Sequence, residues 1–371
     1  MLFGNHIPPK DEKGRVVTLK KNICVLFGGK SSEFYVSCNS ARTIITNIPS
    51  EKYNVIPVGI TQNGDWYYYE DSIDLLPEAK WLDSEKKYPA SFLTNSKFPG
   101  LTVFRREKIE QVTVDAVFPV LHGKNGEDGT VQGLLDMLEI PYVGCGLLSS
   151  AISMDKSYTK MAVNTLGIKQ APYVLLTSKQ TVEKRIANMD KAEKELGYPM
   201  FVKPCKAGSS CGVSKAKDRA GLEKAIEEAL KFDSKVLVEK AIVGRELECA
   251  VLDAEELVPS RVGEIVVTAE FYSYDAKYAD ATSRTDTDPD LPDGVVERIQ
   301  DAACRIFRVL DCRGLSRVDF FLEESTGDVV FNEINTLPGF TNISMYPMLM
   351  AKVGYPLPEL VDKLIETAFM A

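Results

Sequence analysis

Histidine is nearly absent from this chain: His6 and His122 are the only two among 371 residues. A zinc site built on histidine is therefore almost excluded. Cysteine is present, but the eight thiols (positions 24, 38, 145, 205, 211, 249, 304 and 312) show no paired C-x-x-C spacing. That pattern reads as reduced, mostly buried thiols in a cytosolic protein. Long apolar runs are missing, since charge interrupts each one within about ten residues, and no membrane span is expected. Excess positive charge is missing as well. The net charge of −9 argues against nucleic acid or an anionic membrane as the main partner. Phosphate-bearing ligands stay open, because a local basic cluster or a metal overrides the overall sign. Residues 1–20 lack the apolar core of a signal peptide and read as a loose leader. There are no internal repeats or low-complexity tracts.

What the chain does have is length and alternation. Its 371 residues suit two or three domains, and 44% hydrophobic with 26% charged residues is the composition of a soluble globular protein. Residues 22–27 form a short apolar run that ends in a Gly-Gly turn. Ser37 can cap a following helix in which Ala41, Ile44, Ile45 and Ile48 share one face. Residues 53–60 and 115–121 read as further strands, the latter leading through a Gly-rich loop into a helix with Val131, Leu134, Leu135 and Leu138 on one side. This alternation implies an N-terminal parallel α/β domain over residues 21–143. Helices at 155–166, 178–196 and 222–230 with strands at 199–203 and 236–239 give a small central α/β domain, residues 144–238. From 239 to 371 the pattern is mixed α+β. Leu247, Cys249 and Val251 alternate with Glu246 and Glu248, which predicts an antiparallel sheet with one face buried. Residues 279–293 read as a mobile polar loop, and residues 295–310 as a long helix.

Residues 316–323 and 329–335 form an acidic hairpin. Pairing Glu323 with Val329 puts Asp319 opposite Glu333, with Asn335 on the same face as Glu333. Directly opposed carboxylates are destabilising in a sheet, by ~4 kcal/mol at about 4 Å and an effective dielectric near 20. A cation between them resolves the problem. Arg317 can serve one carboxylate, and an oxygen set of Asp319, Glu333 and Asn335 suits Mg²⁺ bridged to phosphate. The alternative is a solvated strand face on which the acids splay into water.

The residues that follow, Glu333-Ile334-Asn335-Thr336-Leu337-Pro338-Gly339-Phe340-Thr341 with Ser344-Met345-Tyr346-Pro347, resemble the C-terminal signature of the D-alanine–D-alanine ligases of the ATP-grasp superfamily. The resemblance runs from Asn22 onward. It includes Phe27-Gly28-Gly29-Lys30-Ser31-Ser32-Glu33, Leu121-His122-Gly123-Lys124-Asn125-Gly126-Glu127-Asp128-Gly129, Met154-Asp155-Lys156, Lys203-Pro204 and Tyr274-Asp275-Ala276-Lys277-Tyr278. It implies an α/β ATP-grasp fold of three domains, ATP as cofactor with two Mg²⁺ ions (Mn²⁺ as a substitute), and a cytoplasmic homodimer acting on small D-amino acids.

By that resemblance Lys156 and Lys203 contact ATP phosphates. The loop carrying Ser209 and Ser210 lays backbone N–H groups along them. Glu239, Lys240 and Ile242 hold adenine, and Glu246 the ribose hydroxyls. Glu33 binds the ammonium of the first D-alanine and is linked with Ser209 and Tyr278. Arg317 and the Gly339 N–H stabilise the developing oxyanion, against the simpler reading of Arg317 as a surface partner of Asp319. Lys277 and Ser344 hold the carboxylate of the second substrate, beside Met345. His122, at a strand end where ligands gather, lies near the substrate amines. Phe34 and Tyr35 depart from the family pattern. Apolar Met345 favours D-alanine as second substrate, with D-serine as the alternative, since residues 55–61 and the loop around His122 look close to serine-type resistance ligases. A catalytically silent nucleotide-binding homologue is disfavoured by the intact charged set.

Overall fold

Residues 23–28 are buried without a break, and the position of their strand explains why. In the computed structural model, which describes residues 20–266, 284–341 and 343–370, β1 (Lys21–Gly28) sits inside a seven-stranded sheet with β2 (Tyr53–Ile60) parallel beside it. A strand covered on both faces needs a continuous apolar run rather than alternation. Residues 1–19, Lys277, Tyr278 and residues 279–283 lie outside the described residues.

Helix α1 (Phe34–Asn47) lays Phe34, Cys38, Ala41 and Ile44 on the sheet. It begins a turn before Ser37, correcting the expected cap. Ser37 is instead a tie within the helix: its hydroxyl accepts from the Gly28 N–H at 2.7 Å and donates to the Val120 carbonyl. The sheet is mixed, which corrects the parallel expectation. β3 (Trp66–Tyr69), β4 (Lys87–Phe92), β5 (Leu101–Phe104) and β6 (Ile109–Val112) pair antiparallel, while β7 (Ala116–Val120) returns parallel to β1. The connections between β2 and β6 carry no crossover α-helix, so they join antiparallel neighbours. Fully buried Trp81 packs edge-on against Phe27, with ring centroids 5.2 Å apart.

After α2 (Thr130–Met137) come two helices where one was expected, α3 (Leu147–Met154) and α4 (Lys156–Asn164). Asp155 separates them, capping α4 by accepting from the Ser157 N–H at 3.1 Å. A second, antiparallel sheet follows. It comprises β8 (Tyr173–Thr177), β9 (Met200–Pro204), β10 (Ser214–Ala216) and β11 (Lys235–Lys240), covered by α5 (Val182–Leu196) and α6 (Arg219–Ala229).

The third sheet has the order β14-β13-β12-β15-β16. Its strands are β12 (Gly244–Asp253), β13 (Leu257–Val266), β14 (Arg284–Asp286), β15 (Leu315–Glu323) and β16 (Val329–Asn335). β14 pairs with β13 inside the stretch expected to be a mobile loop. On β12, Leu247, Cys249 and Val251 pack under α7 (Val295–Val309). Ala250 and Leu252 pack on the opposite side with α8 (Met345–Ala351) and α9 (Leu357–Thr367). Both faces are therefore buried, correcting the one-faced expectation. Each large apolar side chain so buried contributes ~1.5–3 kcal/mol, and together they make this sheet a rigid floor for the charged residues it carries.

Candidate active site

Asp319 does stand opposite Glu333, but by a different route from the one expected. At the turn Leu322, not Glu323, faces Val329, and a bulge between Asp319 and Phe320 leaves Asn332 as the extra residue that restores the register. On the other side of β15, Glu248 faces Asp319. Three carboxylates thus cross three strands in a row. Arg317 donates to both oxygens of Asp319 at 2.8 Å and lies 3.2 Å from Glu248. Lys156 Nζ is 3.3 Å from Glu333. Asn335 Nδ2 donates to Asp319 at 2.9 Å, which leaves its amide oxygen as a further ligand atom for a cation. The set of two carboxylates and an amide fits Mg²⁺ that takes its remaining oxygens from phosphate and water. Among the described residues no three His, Cys, Asp or Glu groups gather as a ready metal cage.

A cavity of about 460 Å³ lies between the second and third sheets. Phe201 and Phe331 give it apolar walls, and Lys203, Ser210, Lys240, Ile242 and Glu246 line it. Glu239 lies buried at its base, with Lys160 Nζ 2.8 Å from one oxygen and Lys203 Nζ 2.7 Å from the other. Burial alone would raise the pKa of Glu239, but the two ammonium groups outweigh it and hold the carboxyl down to about 2.

A second cavity, about 580 Å³, opens between the first and third sheets and holds Glu33, His122, Arg317, Gly339, Ser344 and Met345. The Ser209 hydroxyl donates to Glu33 Oε1 at 2.5 Å. Gly123 holds a left-handed φ of +70°, which favours glycine, and a Cβ there would stand 2.6 Å from Glu33 Oε2. Ser209 and Ser210 both hold left-handed φ, +50° and +57°. That costs roughly 1–2 kcal/mol per residue, strain of the kind found at ligand clamps.

His122 donates from Nδ1 to the Leu337 carbonyl at 2.9 Å, and its Nε2 is 3.2 Å from Ser40 Oγ. Burial pushes the imidazole below its ordinary pKa, so the ring is neutral and its tautomer fixed. Ser344 Oγ accepts from the Thr341 N–H at 2.9 Å and shapes the turn after Gly339. Met345 packs against Gly263, where a Cβ would be 2.6 Å from its sulfur.

The two cavities meet at Lys156, Ala207, Ser209, Ile265 and Glu333, which line both. Of the expected site residues, Lys277 and Tyr278 lie outside the described residues. Asp319 lines neither cavity, being covered by Arg317 and Asn335. The rest are brought together. Three groups were missed: Glu248, Lys160 and Glu127. Glu127 accepts from the N–H groups of Gly123 at 2.7 Å and Leu337 at 3.2 Å. Burial and the charge of Glu33 push its carboxyl up to about 8. The spacing of Lys160, four residues after Lys156 on one helix face, was the available signal.

Residues 22–145 match the family model for the D-ala D-ala ligase N-terminus, and residues 162–366 match the one for its C-terminus. The chain belongs to the D-alanine–D-alanine ligase family. A D-alanine–D-alanine ligase of Acetivibrio thermocellus is 47% identical over 360 residues, covering 94% of this chain and 96% of that protein. Among solved structures, the VanG D-Ala:D-Ser ligase from Enterococcus faecalis matches at 40% identity and TM-score 0.86, over 94% of this chain and 100% of that one. The ATP complex of a D-alanine–D-alanine ligase from Bacillus anthracis matches at 30% identity and TM-score 0.70, over 94% and 98%. The three sheets are thus those of a D-alanine–D-alanine ligase with the ATP-grasp fold. No helix among the described residues of this ligase-family chain is long and apolar enough to cross a membrane.

Proposed function

We propose that the chain forms D-alanyl-D-alanine for peptidoglycan precursor synthesis, activating one D-alanine as its acyl phosphate and joining it to a second. The observation that carries this reading is the meeting of the two cavities at Lys156, Ala207, Ser209, Ile265 and Glu333. One has the apolar walls and buried carboxylate suited to a purine nucleotide, and the other a size and charge suited to two small zwitterions. ATP, when bound, supplies the phosphoryl group.

Within this reading Lys156 and Lys203 attract the polyphosphate, and Glu246 takes the ribose. Glu333 and Asn335 would hold Mg²⁺, joined by Asp319 where Arg317 turns from it toward the phosphoryl group, and the ion would neutralise phosphate charge. Ser209 fixes Glu33 toward the ammonium of the first D-alanine. Arg317 and the Gly339 N–H face the carboxyl that gains and then loses charge. Ser344, with Lys277, takes the second carboxylate. Close placement of both substrates is the main source of rate, because the chemistry needs alignment more than a strong base. A cytoplasmic homodimer goes with this reading on family resemblance.

A second reading, ligation to D-serine, draws on the likeness to VanG and on Thr285, a polar residue that lines the same cavity as Met345. Incubation with ATP, Mg²⁺ and D-alanine, with and without equal D-serine or D-lactate, separates them by mass spectrometry of products. Dominant D-alanyl-D-alanine supports the first reading. Preferential mixed product with D-serine rejects it in favour of the second, and absence of phosphate release rejects both.

A further inference from the structure

The nucleotide cavity contains a deeply buried cation, Lys160, for which the chemistry above has no task. Lys160 lies one turn along α4 from Lys156, and its side chain is 3% exposed. An ammonium buried this deeply is costly unless paired. Its partner is Oε1 of Glu239, at 2.8 Å, and the ring of Tyr173 covers it at 5.5 Å. Lys203 takes the other oxygen, Oε2, at 2.7 Å.

The two lysines are not equivalent. Lys203 also approaches Asn332 Oδ1 at 3.4 Å, next to Glu333 at the junction of the two cavities. It stands between Glu239 and the junction, on the side where the nucleotide reading puts the phosphates. Lys160 belongs to a helix whose main chain is tied down, its carbonyl accepting from Gln170 Nε2 at 3.1 Å. In the nucleotide reading Lys203 turns to the polyphosphate, and Lys160 is the cation left at Glu239.

We propose that Lys160 is a positioning residue for nucleotide selection: it keeps Glu239 ionised and fixed through one oxygen, so that the other passes from Lys203 to the 6-amino group of adenine. The inference rests on the nucleotide reading of this cavity and deepens it. An ionised, fixed carboxylate accepts from an amino group and repels the 6-oxo group of hypoxanthine, so the pair sets a preference for adenine. A counter-ion that only filled a buried site would affect both bases alike.

Calorimetric binding of ADP and IDP to the full chain tests this, because the two nucleotides differ only at position 6 and the closely linked N1 proton. Lys160→Met is expected to weaken ADP about tenfold, or ~1.4 kcal/mol, and IDP less than twofold, so the preference for adenine collapses. Lys160→Arg is expected to keep the preference. Glu239→Gln is expected to lose it outright, and adding Lys160→Met to that variant should change neither affinity further. In turnover, KM for ATP should rise in Lys160→Met while kcat changes less than about threefold. If Lys160→Met does not fold, Lys160→Gln carries the same comparison. Equal weakening of ADP and IDP, or weakening of neither, would overturn the inference while leaving the nucleotide reading intact. A wild-type chain that binds neither nucleotide overturns the reading itself and the inference with it.

Discussion

Replacing Glu333 by glutamine removes one charge from the row formed by Glu248, Asp319 and Glu333 while keeping the side chain's shape. The two nearest electrostatic contributions then change with opposite sign. Repulsion from Asp319, directly opposed at ~5 Å, is relieved by ~3 kcal/mol at an effective dielectric of about 20. Attraction to Lys156 Nζ, 3.3 Å away, is lost at ~5 kcal/mol on the same scale. The difference for these two contacts, ~2 kcal/mol, is reduced by water screening of the partly exposed pair, while Arg317 and Lys203 also attract Glu333 and add to the loss. Melting temperature should therefore fall by several degrees, on the order of 4–8 °C. Turnover should respond differently. Glu333 lines both cavities at their junction, and losing its charge there should reduce kcat at least about 100-fold, or ~2.7 kcal/mol of barrier. Phosphate release with saturating ATP, Mg²⁺ and D-alanine, beside a thermal melt, reads both effects. A folded variant with kcat within threefold of the native chain would refute the placement of Glu333 on the phosphoryl path.

Three further expectations rest on separate contacts. Gly263→Ala puts a methyl 2.6 Å from the Met345 sulfur, driving the thioether into the second-substrate pocket. KM for the second D-alanine should rise about tenfold with KM for ATP unchanged, and steady-state kinetics showing no change would count against that pocket assignment. Ser209→Ala removes the 2.5 Å bond to Glu33. Turnover should fall about 10–100-fold, ~1.4–2.7 kcal/mol, with the circular dichroism spectrum intact; an unchanged rate contradicts the role given to the pair. Glu127, pushed up to about 8, keeps a proton between about pH 4.3 and 8 that the unfolded chain has released. The folded state then binds more protons than the unfolded one, so stability falls as pH rises through that window. Glu127→Gln should flatten the fall in melting temperature between pH 5 and 8, and equal slopes would show that Glu127 titrates normally.

How much of this was legible in the sequence depended on whether one element sufficed to show it. β1 and α7 were readable because each carries its own burial pattern, a continuous run in one and a repeating helical face in the other. The four short strands between residues 66 and 112 were not, since runs of four to six mixed residues gain their order from neighbours. β12 misled in an instructive way. Glu246 and Glu248 looked like a wet face, yet Ala250 and Leu252 on that side enter a second core formed by α8 and α9. In the hairpin, the opposition of Asp319 and Glu333 was inferred from a register one residue off at the turn and restored by the bulge at Asn332. Glu248, Glu127 and Lys160 escaped notice because each matters through a partner on a different element: Asp319, Leu337 and Glu239. The signature around Gly339 was legible as a resemblance, whereas the geometry joining it to His122 and Ser40 exists only in the folded chain.

The central claim, that one D-alanine is activated as an acyl phosphate where the two cavities meet, has a direct isotopic test. The chain is supplied with ATP, Mg²⁺ and D-alanine labelled with ¹⁸O in its carboxylate, and the released phosphate is analysed by mass spectrometry. Transfer through an acyl phosphate predicts one ¹⁸O atom in each phosphate released alongside D-alanyl-D-alanine. Unlabelled phosphate, or dipeptide formed without ADP, would contradict the account.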